Sequence, residues 1–275
     1  MTYKNFACAL AIFSVTQAQS AAETEQYPEF AERMSLWGYG WESFEVTTED
    51  GFILTTFRVS ENFTKPDRKA NSDYKPVIMV NGYECDAVSW IPNQLGDTLP
   101  TALHLFDDGF DVYLMSNRGT KYCMNHEIYK DDDWAFWNFS FMEMAIYDDK
   151  ANIKAVKERA GVDKVSFLGY SQGSQHAITA LAQIEDEIAD DLHTMMLFAP
   201  CIVSVNYVDP EVYEQGIFKF WDYAIYNLGW PLTGSPNWWD TLDFICDTFP
   251  ENVCSYSSGY GYAEPVSVKG EMYGG

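Results

Sequence analysis

A chain of 275 residues, 47% of them hydrophobic, can bury one sizeable core, or a core with a smaller cap, and is not a disordered polymer. The 41 acidic residues outnumber 17 basic ones to leave a formal charge of -24, which excludes nucleic acid as a natural partner and anionic lipid as an electrostatic one. Any contact with lipid must therefore be apolar.

At the N-terminus, Lys4 precedes an apolar run from Phe6 to Val15, and the small residues Ala18 and Ser20 suit cleavage before Ala21. The run is too short to span a bilayer. It reads as a secretory signal over residues 1–20, against the alternative of an apolar helix that stays on the protein, and no later stretch reads as transmembrane. The expected product is secreted or delivered to a lysosome-like lumen. Five cysteines then remain, Cys85, Cys123, Cys201, Cys246 and Cys254, an odd number in a compartment where disulfides form. Asn62-Phe63-Thr64 is a candidate glycosylation acceptor, whereas the aromatic neighbours of Asn138-Phe139-Ser140 favour burial.

Phe44 to Thr48 and Phe52 to Leu54 alternate in polarity around Glu49-Asp50-Gly51, which predicts an antiparallel hairpin. Residues 76–80 predict a buried strand, 99–106 a helix closed by Gly109, and 110–115 the next strand: one β-α-β unit. Ser140 with Glu143 makes a capping box for a helix that runs to Ala160 and stops at Gly161. A strand over 165–168, a helix over 172–189 and a strand over 194–199 continue the alternation. The fold class expected is α/β, a mostly parallel sheet flanked by helices. The acidic runs at 107–108, 131–133 and 190–191 lack the spacing of a calcium loop and read as solvated faces. From Pro200 the rhythm breaks, and the aromatics Phe218, Phe220, Trp221, Trp230, Trp238 and Trp239 suggest a separate cap. The expected domains are an N-terminal core over 21–206 and an incomplete cap over 207–275.

Between the strand at 165–168 and its following helix stands Gly169-Tyr170-Ser171-Gln172-Gly173, the pattern of a nucleophile elbow in the strand-turn-helix context it requires. So tight a turn leaves no room for side chains two residues either side of the serine, which suits glycine at 169 and 173. Ser171 Oγ would attack an acyl carbon. The backbone N–H of Gln172, at the start of the helix, and that of Tyr83, in the Asn81-Gly82-Tyr83 loop after the strand ending at Val80, are the candidate oxyanion donors.

Taken together, Phe44-x-Val46-x-Thr48-x-Asp50-Gly51-Phe52-Ile53-Leu54, the Asn81-Gly82 loop, Asn117-Arg118-Gly119, Trp137-x-Phe139-Ser140-Phe141-x-Glu143-Met144-Ala145-x-Tyr147-Asp148 and the elbow give the chain a specific resemblance. Over about residues 30–254 it resembles the acid lipase family of gastric and lysosomal acid lipases. The resemblance implies an α/β-hydrolase fold, Ser171 as nucleophile, Gln172 and Tyr83 as oxyanion-hole amides, a cap disulfide between Cys246 and Cys254, no cofactor and no metal. The partner it implies is a neutral lipid, triacylglycerol or steryl ester, met at a lipid-water interface. Two positions depart from the family: Asn81 and Tyr170 stand where it usually carries histidine.

In this fold the acid and the histidine follow the serine in chain order. Only His176 and His193 lie downstream. His176 is carried away from Oγ by the helix and is expected to be a satisfied packing or surface residue; His193 precedes its strand and belongs at the bottom of the sheet. The chain is therefore expected to be a fragment, with the triad acid and base outside it and little activity alone. Three readings stay open: a neutral-lipid lipase, another serine esterase or peptidase of the same fold, and a non-catalytic lipid-binding protein.

Overall fold

The computed structural model describes residues 24–62, 75–83, 85–92, 95–96 and 98–200. The signal segment, the Asn62 glycosylation motif beyond its first residue, the cap, and Cys201, Cys246 and Cys254 lie outside them.

The chain enters through α1 (Pro28–Trp37), which carries proline in its first turn and stops at Gly38, whose φ of 78° lets its N–H return to Met34 and Ser35. A hairpin follows, β1 (Tyr39–Thr47) and β2 (Phe52–Asn62), longer at its open end than the alternating residues foretold. Then come β3 (Pro76–Val80), a 3-10 turn over Ala87–Trp90, α2 (Thr101–Asp107), β4 (Asp111–Met115) and the short β5 (Asn125–His126). The expected helix over 140–160 is a composite of α3 (Phe141–Glu143), a π-helical turn (Met144–Asp149) and α4 (Lys150–Ala160), closed at Gly161. Last are β6 (Val165–Tyr170), α5 (Gln172–Ile188) and β7 (Leu192–Phe198).

The sheet order is β1-β2-β4-β3-β6-β7, with β5 also paired to β2. Strands β4, β3, β6 and β7 run parallel, and the β1-β2 hairpin joins β4 antiparallel. All five residues of β3 and of β4 are buried, as expected of strands covered on both faces. Their side chains alternate between two cores. Val77, Met79, Val112 and Leu114 face the one that holds Phe30, Phe57, Leu103 and Tyr122, beneath α1 and α2. Ile78, Val80, Tyr113 and Met115 face the other, with Ile153, Val156 and Ala177 from α4 and α5. This is the α/β-hydrolase arrangement, a mostly parallel sheet between helical layers.

Register fixes where chemistry can sit. Val80 pairs with both Met115 and Gly169, so β3, β4 and β6 end level and their following loops emerge together at one edge of the sheet.

Candidate active site

At that edge Ser171 adopts φ 53°, ψ -113°, a positive-φ backbone that a residue with a Cβ rarely takes. The strain is held from three sides. Ser171 N–H donates to Phe198 O of β7 at 2.9 Å, while Ser171 O accepts from the N–H groups of Ser174 and Gln175 at 3.0 and 3.2 Å. Ser174, buried one turn into α5, donates its hydroxyl to Gly169 O at 2.7 Å and lies 3.0 Å from Phe198 O. Glycine is required at both flanks: a Cβ at Gly169 would stand 2.5 Å from Gly173 O, and one at Gly173 would stand 2.6 Å from Val80 O.

The loop after β3 packs directly on the serine. A Cβ built on Gly82 would come within 3.2 Å of Ser171 Cβ and 3.3 Å of the Tyr170 ring, so the two loops are in contact, and a side chain at 82 would need its neighbours to give by a few tenths of an ångström. Asn81 is wholly buried, and its side-chain amide donates to Gly82 O at 3.1 Å and to Cys85 O, spanning the turn that contains Tyr83. The next turn is capped by Asp86, which accepts from Val88 N–H at 2.8 Å, and is tied to α1 by Arg33, whose guanidinium donates to Val88 O and Ile91 O at 3.0 and 2.9 Å. Tyr83 and Tyr170 are exposed, and Trp90 meets Tyr170 edge-on with ring centres 6.3 Å apart. Gln172 opens α5, which is kinked at Ile184 and whose first N–H groups have no acceptor within the helix and sit at the positive end of its dipole. A strained, partly exposed serine hydroxyl at a helix N-terminus, with a second loop against it, can present Oγ to an acyl carbon and backbone donors to its oxygen.

A second polar centre braces the same edge. The fully buried Arg118, just after β4, donates to Asp50 in the β1-β2 turn at 2.5 and 2.9 Å and to Asp148 in the π-helical turn at 2.8 Å, while its guanidinium stacks 4.1 Å from the Phe52 ring centre. Against the upward push of burial, the hydrogen bonds from Arg118 and Thr48 hold the Asp50 carboxyl below its usual range.

The histidines fall in four different settings. His193 is exposed at the start of β7, the opposite end from Ser171, with Lys75 Nζ 3.5 Å from its ring. His104 is exposed, 3.2 Å from Asp108. His126 accepts from the N–H groups of Ile128 and Tyr129 at Nδ1, which leaves Nε2 to carry the proton toward Asp50 O at 3.0 Å. His176 departs from the expected satisfied residue: it is wholly buried and neither ring nitrogen has a hydrogen-bond partner. Among the described residues no histidine hydrogen-bonds Ser171. Asn138 also departs from expectation. It is exposed, although its neighbours Trp137 and Phe139 pack partly buried against the first core. Cys123 is a buried free thiol, and burial pushes it above the usual thiol range.

A family described as the partial α/β-hydrolase lipase region matches residues 30–94. Gastric triacylglycerol lipase of Rattus norvegicus is 33% identical over 181 residues, 64% of this chain and 43% of that protein. Lipase lipl-1 of Caenorhabditis elegans is 34% identical over 80% of this chain and 52% of its own, and lysosomal acid lipase/cholesteryl ester hydrolase of Macaca fascicularis 33% over 72% and 48%. The chain spans about half the length of the curated relatives it matches. Among solved structures, carboxylesterase CesB from Bacillus subtilis aligns with 68% of this chain and 53% of its own, at 17% identity and a TM-score of 0.42.

Proposed function

Over the residues it shares with these relatives the chain belongs to the acid lipase family, and from that premise we propose that it is a carboxylic ester hydrolase acting on neutral lipid through Ser171. The observation that carries the reading is the conformation of Ser171, a strained serine between β6 and α5 with the Gly82 loop in contact with it.

In the proposed reaction Ser171 Oγ forms a bond to the ester carbonyl carbon, and the carbonyl oxygen takes up negative charge between the N–H groups of Gln172 and Tyr83. Collapse of that intermediate breaks the acyl C–O bond, the alcohol leaves with a proton, and water then cleaves the acyl-enzyme to give the carboxylic acid. None of the four histidines is assigned as the base that moves those protons. Asn81 acts here as a brace, fixing both ends of the turn that presents the Tyr83 amide. A triacylglycerol or steryl ester suits the substrate, since the net charge leaves apolar contact as the way to reach lipid, and the relatives named for gastric and lysosomal lipases favour a secreted or luminal setting. No helix among the described residues is long and apolar enough to cross a membrane.

The test is the initial rate of the full natural protein on esters of increasing acyl length, paired with Ser171→Ala. Turnover should rise with chain length and fall in the variant by several orders of magnitude, on the scale of 10⁶ seen when a triad serine is removed. Preference for short, soluble esters would replace the lipase reading by a small-ester esterase, and Ser171-independent turnover would remove the site.

A further inference from the structure

The reaction leaves one buried pair of titratable side chains unused. His176 lies five residues into α5, behind the elbow, and Asp149 is the last residue of the π-helical turn; they are 0% and 1% exposed. Nδ1 of the ring is 3.9 Å from Oδ1 of the carboxyl, about 1 Å beyond a direct hydrogen bond. No other hydrogen-bond partner reaches either ring nitrogen or either carboxyl oxygen among the described residues.

Several charged groups on the elements packed around the pair are engaged elsewhere. Asp148 is bound by Arg118, Lys150 by Glu49 and Glu187, and Glu143 is held by Ser140. Lys157 is paired with Asp191, and His193 faces Lys75 at the exposed end of β7. His176 and Asp149 thus face each other 3.9 Å apart with no hydrogen-bond partner, and Asp149 also feels the charge of the neighbouring Asp148.

A lone buried ion is heavily penalised, whereas one proton shared by an imidazole and a carboxyl leaves the pair neutral overall, whether written as O–H···N or as O⁻···H–N⁺. We propose that His176 and Asp149 hold a single proton between them in the folded protein and act as a lock between the elbow helix and the π-helical turn, tightest in mild acid. This rests on the geometry of the pair and not on the catalytic reading. Burial, with the charge of Asp148 added, drives the Asp149 carboxyl well above its usual range, and burial lowers His176 to about 3; both directions place that proton on the carboxyl.

The sign follows from counting protons. Between the ordinary values of 3.8 and 6.5 the unfolded chain also holds one proton on these two residues, on the histidine, so the pair contributes no pH slope. Above 6.5 the unfolded chain releases that proton, and wherever the folded Asp149, raised well above its ordinary value, still holds its own, folding weakens as the pH rises, by up to tenfold in equilibrium constant per unit. Below 3.8 the unfolded chain takes a second proton that the folded pair resists down to about 3, and stability falls again.

The experiment is equilibrium unfolding of the full chain by urea from about pH 4 to pH 9, for the wild type and for Asp149→Leu/His176→Leu, whose difference cancels every other titrating group. The ratio of the two unfolding constants should be flat up to about pH 6.5 and then change by up to tenfold per unit; a ratio flat throughout overturns the proposal. Should the double variant fail to fold, the ring-nitrogen NMR shifts of His176 decide alone. They should not titrate between about pH 4 and 7, and a midpoint near 6.5 overturns the lock. Ester turnover enters neither readout.

Discussion

Gly173 carries the tightest demand on a single residue. Its missing side chain is where Val80 O and Asn81 O pass, so any Cβ meets backbone of the central strand, which cannot rotate aside as a side chain would. Gly173→Ala should destabilise the fold by about 3 kcal/mol, the upper range for forcing volume into a packed site, and should reduce activity further by displacing the Asn81 loop. A denaturation midpoint unchanged by the substitution would show that the contact relaxes freely. The need for glycine here was legible in the sequence because it is a local property of the turn. The tie from Ser174 to β7 and the pairing of His176 were not: the first needs β7 to bring Phe198 O to the elbow, and the second needs Asp149 to arrive from a different helix. Partners so far apart in the chain leave no spacing to read.

The helical rod from residue 141 to 160 shows the same division at the level of an element. Its start was written locally: Ser140 accepts from Met142 N–H at 3.1 Å, and Glu143 accepts from Ser140 N–H at 2.8 Å, as the capping box requires. Its end at Gly161 was also local, since φ there is 66°. The interruption between them was not. A single π-helical turn shifts the apolar period too little to be told from an α-helix over six residues, yet it places Asp148, Asp149 and Lys150 all in buried positions, the first against Arg118 and the second against His176. The helix α1 was missed for a different reason, its short and mixed sequence, although Phe30 and Met34 fill the first core. Because Ser140 is exposed and its bonds stay within its own helix start, Ser140→Ala should lower stability by about 1 kcal/mol with little change in turnover. A larger loss of activity than of stability would instead tie α3 to substrate.

Charge acts on the molecule as a whole. Several basic side chains answer to more than one acid: Arg118 to Asp50 and Asp148, Arg58 to Glu42 and Asp111, Lys150 to Glu49 and Glu187. With 41 acidic residues to 17 basic, carboxylates far outnumber the cations that could pair with them, and the run at 131–133 faces solvent. Self-repulsion among them disfavours the compact state at neutral pH. Raising the salt from about 0.01 M to 0.15 M shortens the screening length from about 30 Å to 8 Å, which weakens that repulsion across the whole surface. Exposed ion pairs weaken too, but each is worth only about 0–1 kcal/mol, and the buried Arg118 pairs are screened much less. The melting temperature at pH 7 should therefore rise with salt, by roughly 2–4 °C for each 1 kcal/mol of repulsion removed in a protein of this size. Near the isoelectric point of 4.3 the net charge disappears, and the same salt step should produce no rise. Calorimetry at two salt concentrations and two pH values checks both halves, and a melting temperature that falls with salt at pH 7 would mean that local ion pairs outweigh the excess acid.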